Sequence, residues 1–495
     1  MTIPLSVQPE AASPISALPF ETLAGIFEVA HADQSEKHVI EVLLSSVCRH
    51  WRDVALGTPK LWTVIRCNTS GKQPGATPIY LRRSSPLPID LTIGINGHKL
   101  SRMKVLFQLL GRHYWRCQHL RVICVGQTVL HRLLQDLQSI SAPFLRSIEI
   151  NCQNYAVSRG ARTGDIFAGG APMLAEIRFN NIELERCLPP LASVKAIYLR
   201  QSIYGDLAPE STFWLEMIAT ATSIRHLQID SDTVVQDWTS STITVEIPLL
   251  RSLYLFCGSD DPWGVDVAVP LDRITAPNLE VLMLRGIESF GAFMSLHKFP
   301  YLHTIVLWDA IGEAIDLLES FPLHVQHIIC GSLADFDYQL LLNGLSDGGE
   351  GEGEGEGEGE RGDTTESQEI FEERAQTGEG VHEGQGEDAE HSHLEQNGST
   401  GEGVPEIGHK KIGPPTYVPH LQTIAILPSP RCAFPLEATR DMLIIRKYRG
   451  RPLRKLYVAT RFLAEVSEEL QIWDGLVEVE VWRPQLTPCW PNLWK

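Results

Sequence analysis

Few residues of this 495-residue chain are of types and spacings suited to chemistry. His113, Cys117 and His119 fall close together, and His391 and His393 form a His-Ser-His pair. Imidazole nitrogen and thiolate sulfur are donors that zinc takes, but a structural zinc site needs four ordered ligands, and neither grouping supplies them. Cys117 reads instead as packing beneath Leu120, with the histidines near a helix end. Nucleotide and nucleophile motifs are missing: there is no Gly-x-x-x-x-Gly-Lys-Ser/Thr loop, no Gly-x-Ser-x-Gly elbow and no His-Glu-x-x-His. Arg361-Gly362-Asp363 matches an adhesion tripeptide in a chain with no other extracellular feature. The expectation is a protein with no catalytic residue, no metal and no cofactor, which acts by binding.

The elements that would hold binding residues come from a repeat. The template L-x-x-L-x-L, with Ile, Val or Phe (once Cys) allowed, starts at Leu120, Leu145, Leu174, Val194, Ile224, Leu250, Leu279, Leu302 and Val325. It returns at Leu421, Leu453 and Leu476. Intervals between the first nine copies run from 20 to 30 residues. Six copies carry Pro two residues ahead: Pro143, Pro172, Pro248, Pro277, Pro300 and Pro419. A fixed φ and an absent N–H suit the turn before a strand joins its ladder. One short strand per 20–30 residues is the signature of a leucine-rich solenoid, in which units stack because one alone cannot bury its apolar edge. The usual Asn after the third apolar position is replaced (Thr128, Ile182, Gly258, Ile287), which predicts irregular repeats.

Template positions one, four and six then point inward, and positions three, five and seven form an exposed concave sheet. This places Tyr198, Tyr254, Phe256, Met283 and Trp308 on the outer surface as candidate anchors for a protein substrate, since aromatic side chains give large contact area at low entropy cost. Helices or loops covering that face would make the same residues internal.

Charge separates the chain into parts. Of 61 acidic and 42 basic residues, 20 acidic and 2 basic lie in 347–406, leaving 61 − 20 = 41 against 42 − 2 = 40 elsewhere. The remainder is near neutral, so neither a nucleic-acid partner nor a broad basic surface is expected. Residues 347–406, with Gly and Glu alternating from Gly349 to Glu360, read as a disordered acidic insertion. Ten cysteines without a Cys-x-x-Cys pair fit reduced, buried thiols. Met1 to Glu10 shows no secretory pattern and no apolar run reaches membrane-spanning length, so the expected setting is cytoplasmic or nuclear, away from membranes.

The N-terminal region reads as helices with apolar stripes, ended by Gly57-Thr58-Pro59. Leu18-Pro19-Phe20-Glu21, Leu23, Ile26-Phe27, Val47-Cys48-Arg49, Trp51-Arg52 and Thr58-Pro59-Lys60-Leu61-Trp62 resemble an F-box of the fungal, mushroom-type family. Tyr80-Leu81-Arg82-Arg83-Ser84, with Pro86-Leu87, is similar to the segment that often follows in those proteins. The resemblance implies a three-helix module docking on the Skp adaptor, and through it a cullin. Leu18, Pro19, Leu23, Ile26, Phe27, Val47, Cys48 and Trp51 would be its partner-binding residues, with Trp51 between the helices.

The expected fold class is therefore α/β: an F-box at 14–62, a connecting segment at 63–115, an irregular leucine-rich-repeat solenoid with a parallel sheet at 116–346, the acidic insertion at 347–406 and C-terminal repeats at 407–495. The expected function is substrate recognition within an SCF-type ubiquitin ligase. The alternative is a repeat scaffold that binds partners with no ligase role, its helical head acting only as an N-terminal cap.

Overall fold

The computed structural model describes residues 15, 18–32, 39–68, 75–95, 100–153, 164–182, 188–200, 217–230, 244–256, 268–286, 296–309, 322, 324–332, 335–346, 418–429 and 432–483. Three helices open it: α1 (Phe20–Ala32), α2 (Ile40–Val47) and α3 (Arg49–Leu56). Cys48 separates the last two with extended backbone, and its Sγ accepts the Trp51 N–H, capping α3. Leu23 and Phe27, four apart on α1, are buried, and the Phe27 ring packs against Trp51 at 5.0 Å between centroids.

Strands follow as β1 (Val64–Asn68), β2 (Ile89–Ile95), β3 (Cys117–Cys124), β4 (Ser147–Cys152), β5 (Glu176–Asn180), β6 (Ala196–Arg200), β7 (His226–Asp230) and β8 (Val245–Glu246). The series continues with β9 (Ser252–Phe256), β10 (Ile274–Thr275), β11 (Val281–Arg285), β12 (Thr304–Trp308), β13 (His327–Gly331), β14 (Thr423–Leu427), β15 (Lys455–Val458) and β16 (Glu478–Val481). Among the described residues, fourteen of these form one sheet in the order β1-β2-β3-β4-β5-β6-β7-β9-β11-β12-β13-β14-β15-β16, while β8 and β10 pair separately. Every neighbouring pair is parallel. Strand order thus follows chain order, consistent with a repeat solenoid.

The template sets the register. Its fourth position forms a continuous row: Leu227, Leu253, Leu282, Ile305, Ile328, Ile424, Leu456 and Val479 pair in succession. All but Val479, half-buried at the edge, are fully buried, each contributing up to about 1.5–3 kcal/mol. Each recurrent Pro occupies the second residue of a turn closed by a backbone bond, for example Leu145 N to Ala142 O at 3.0 Å and Leu279 N to Ala276 O at 3.1 Å. That is the turn position where a preset φ costs least.

Two expectations are corrected. The copy placed at Leu120 is three residues out of frame: Leu120 pairs with Ile148, so Cys117, Leu120 and Val122 fill the inward positions. Segment 63–115, expected as a connection, supplies β1 and β2 of the same sheet, with α4 (Thr77–Arg83) between them and α5 (Leu100–Gly111) after.

Residues 347–417 lie outside the described residues, and the expectation of disorder at 347–406 falls among them. The sheet continues across this interval, since β13 pairs directly with β14. One side chain holds its two flanks. Arg446, buried in helix Leu436–Tyr448, donates from Nη1 to Leu345 O at 3.2 Å and from Nη2 to Val418 O at 3.3 Å. Arg449 Nη1 adds a bond to Ser346 O at 3.1 Å. Leu345 and Ser346 end helix Asp335–Ser346, whose last carbonyls lack intrahelical partners. Burial pushes the Arg446 guanidinium down, to about 10.

Candidate partner-docking surfaces

The helical head hides one set of apolar residues and displays another. Leu23, Phe27, Leu44, Val54 and Ala55 are buried. Ile26 (48% exposed) and Val47 (60%) face solvent, together with Val29, Val42 and Leu43. Pro19 and Cys48 are exposed, while Leu18 and Trp51 are half-buried. The eight residues expected to bind a partner therefore divide. Pro19, Ile26, Val47 and Cys48 lie open, and Leu18 is partly accessible. Leu23 and Phe27 belong to the core, because their stripe on α1 is the one turned toward α3. Val29, Val42 and Leu43 enlarge the apolar face beyond that set. Their signal in the sequence was Val42-Leu43-Leu44, a run apolar all round a helix that one core can cover on one side only.

The sheet face opposite the main core is divided along its length. From β1 to β7 every residue at template positions three, five and seven keeps solvent contact. These residues are mostly polar, and charged groups meet across strands: Arg121 with Glu149 at 3.1 Å and Arg200 with Asp230 at 3.4 Å. Arg178 donates to Glu176 and lies 4.0 Å over the Tyr198 ring. Burial pushes the Asp230 carboxyl up, while Arg200 and Arg285 pull it down.

From β9 to β14 the same face closes. Tyr254 (1% exposed), Met283 (2%), Val306, Ile329, Ala425 and Leu427 form a second apolar cluster, with Tyr198, Phe256 and Trp308 half-buried against it. This corrects the expectation of exposed anchors. Tyr254 and Met283 are interior, and burial pushes the Tyr254 phenol up. Arg285 lies 4.8 Å over the Phe256 ring while donating to Asp309 at 2.8 Å. The Trp308 indole covers Gly331, its partner in register on β13.

Candidate chemical groups resolve as structure. Asp90, His119 and Ser147 sit side by side on β2, β3 and β4, with His119 Nδ1 2.7 Å from Ser147 Oγ. These are the residue types of a hydrolytic triad, but the His–hydroxyl pairing recurs at His226–Ser252 (2.9 Å) and His327–Thr423 (2.7 Å). The recurrence marks a cross-strand ladder. Cys117 points into the core, where burial pushes its thiol up to about 12, and His119 points the other way. Among the described residues no group of three or more His, Cys, Asp or Glu is placed to hold a metal ion, and no helix is long and apolar enough to cross a membrane. His391, His393 and Arg361-Gly362-Asp363 lie outside the described residues.

No protein-family model matches this chain, and neither does any curated protein.

Proposed function

We propose that the chain is a substrate-recognition subunit of a cullin-based, SCF-type ubiquitin ligase, its head an F-box that docks on the Skp adaptor and its repeats a leucine-rich surface for a protein substrate. The observation that carries this reading is the apolar face of α1 and α2, where Ile26, Val29, Val42, Leu43 and Val47 stand exposed on the helices that bear the motif. Large apolar side chains left exposed on two neighbouring helices are retained where a partner covers them. A head serving only to cap the sheet would turn its apolar residues inward. The chain itself contributes no chemistry to ubiquitin transfer, and needs no cofactor. Substrate would meet the open stretch from β1 to β7, where Tyr198 and the paired charges keep solvent contact.

Ile26→Asp tests the docking mode without disturbing the fold, because Ile26 is already solvent-facing in the free chain. A lone carboxylate carried into a desolvated contact costs about 2–5 kcal/mol, a loss of at least about thirtyfold in adaptor affinity. Co-purification with a Skp adaptor should succeed for the parent and fail for the variant. Equal capture of both would overturn this docking mode, and no capture of the parent would overturn the ligase reading.

A further inference from the structure

A carboxylate is hidden on the underside of the proposed docking helix. On α2, Val42 and Leu43 face outward, while Glu41, only 4% exposed, and Leu44 face inward. Glu41 Oε1 accepts a 2.6 Å hydrogen bond from the Tyr80 hydroxyl on α4, the helix that joins β1 to β2. The Tyr80 ring meets Trp62 edge-on, with centroids 5.0 Å apart, and Trp62 Nε1 donates to Ala55 O at the end of α3. Arg83 covers the Trp62 ring at 4.2 Å. Buried Arg116 continues the chain of contacts, donating from Nη2 to Leu81 O and from Nη1 to Leu87 O, both at 2.7 Å, and to Ser84 Oγ at 3.1 Å. A set of directional contacts therefore runs from the docking helix to Arg116, the residue just ahead of β3.

Apolar packing is non-directional and tolerates small rotations. A buried hydrogen-bonded carboxylate does not, because any turn of the head away from α4 leaves that group desolvated and unpaired. The exposed pair Lys60–Glu28 carries no such penalty.

We propose that Glu41 and Tyr80 are a positioning pair that fixes the angle between the helical head and the first strands of the sheet, holding any partner seated on α1 and α2 at one orientation to the outer sheet face. The consequence for ubiquitin transfer rests on the adaptor reading above; the head-to-sheet geometry does not. Transfer between two bound proteins depends on orientation as well as proximity, so the pair would act on rate while leaving docking intact.

The test uses the full chain with spin labels on non-canonical residues at exposed Asp53 of α3 and exposed Lys195 ahead of β6, read as a distance distribution. The parent should give one narrow peak. Tyr80→Phe keeps the ring and removes the donor, and should broaden that peak. Glu41→Gln, whose amide carbonyl still accepts the hydroxyl, should keep it narrow. The double variant Glu41→Leu/Tyr80→Phe removes both polar groups, so it restores stability without restoring direction. Its melting temperature should match the parent while its distribution stays broad, and it decides the matter if Tyr80→Phe alone unfolds. A narrow peak in a folded Tyr80→Phe or in the double variant would overturn the proposal. Skp adaptor affinity, titrated on the same proteins, should change by less than about twofold, as expected for a site beneath the contact face. Failure of the parent to bind the adaptor would sink the functional consequence while the distance measurement still decides the joint.

Discussion

Gly331→Ala distinguishes a tryptophan packed in place from one held free for a partner. Gly331 is buried in β13 and lies opposite Trp308 of β12. In an extended strand, exchanging Gly for Ala stabilises by about 0.4–1 kcal/mol through the unfolded chain. Here the new methyl would lie 2.6 Å from Trp308 Cδ2 and closer still to Cε3 and Cζ3, inside the ring's van der Waals envelope. The indole must leave its seat among Tyr254, Met283 and their neighbours, and overpacking of this kind costs about 1–3 kcal/mol. The sum is a net loss centred on about 1.3 kcal/mol, within a range of about 0–2.6 kcal/mol, where the ordinary exchange is a gain. Urea unfolding followed by circular dichroism reads the midpoint, and adding Trp308→Leu should recover most of the loss. A Gly331→Ala midpoint equal to or above the parent's would refute the packed placement of Trp308 and return it to the accessible surface.

Arg446→Met removes the two guanidinium bonds, leaving Leu345 O without its side-chain donor and Val418 O with only the Leu421 N–H, for an expected loss of about 1–3 kcal/mol and faster limited proteolysis beside Ser346. Leu23→Ala should cost about 2–5 kcal/mol in unfolding free energy, since Leu23 is wholly buried, whereas Ile26→Ala should stay within about 0.5 kcal/mol. Burial raises Cys67 from an ordinary 9.0 to about 11 and Cys117 from 9.0 to about 12. Above pH 9 the unfolded chain therefore loses protons that the folded chain keeps, so the urea midpoint should hold below pH 9 and fall steadily toward pH 11. A midpoint that rises over that range would contradict the burial of these thiols.

The parallel sheet was readable because Leu, Ile and Val recur in a frame that each neighbour repeats. The frame slipped where that rule loses contrast. Around Leu120 the run Leu-Arg-Val-Ile-Cys-Val offers apolar residues to both faces, so Leu120-Ile123-Val125 and Cys117-Leu120-Val122 fit equally well. Pairing with Leu91 and Ile148 decides between them. β1 and β2 escaped because Trp62 and Pro88 stand where the template wants Leu. Closure of the outer face did leave a trace. Leu-Tyr-Leu-Phe, Val-Leu-Met-Leu and Ile-Val-Leu-Trp are continuous apolar runs, as strands buried on both sides are, whereas Glu149, Arg178 and Gln228 interrupt the earlier strands. At the head, the motif residues fall on both faces of the helices: Pro19, Ile26, Val47 and Cys48 are exposed, whereas Leu23 and Phe27 are buried. Glu41 gave no sign of being internal, since a Glu in the first turn of a helix reads as a solvated charge near the dipole. Its partner lies 39 residues away.

The Arg446 anchorage also has a meaning for how the chain can change in length. Ser346 and Val418 are gathered within reach of neighbouring arginines, and the strands on either side are already hydrogen-bonded to each other. The polypeptide between them closes a circuit that the fold has completed without it. Doubling the length of such a segment adds only about 0.6 kcal/mol of closure entropy. Adding or removing copies of the Gly-Glu pair at 349–360 is therefore expected to leave the stability of the sheet nearly unchanged.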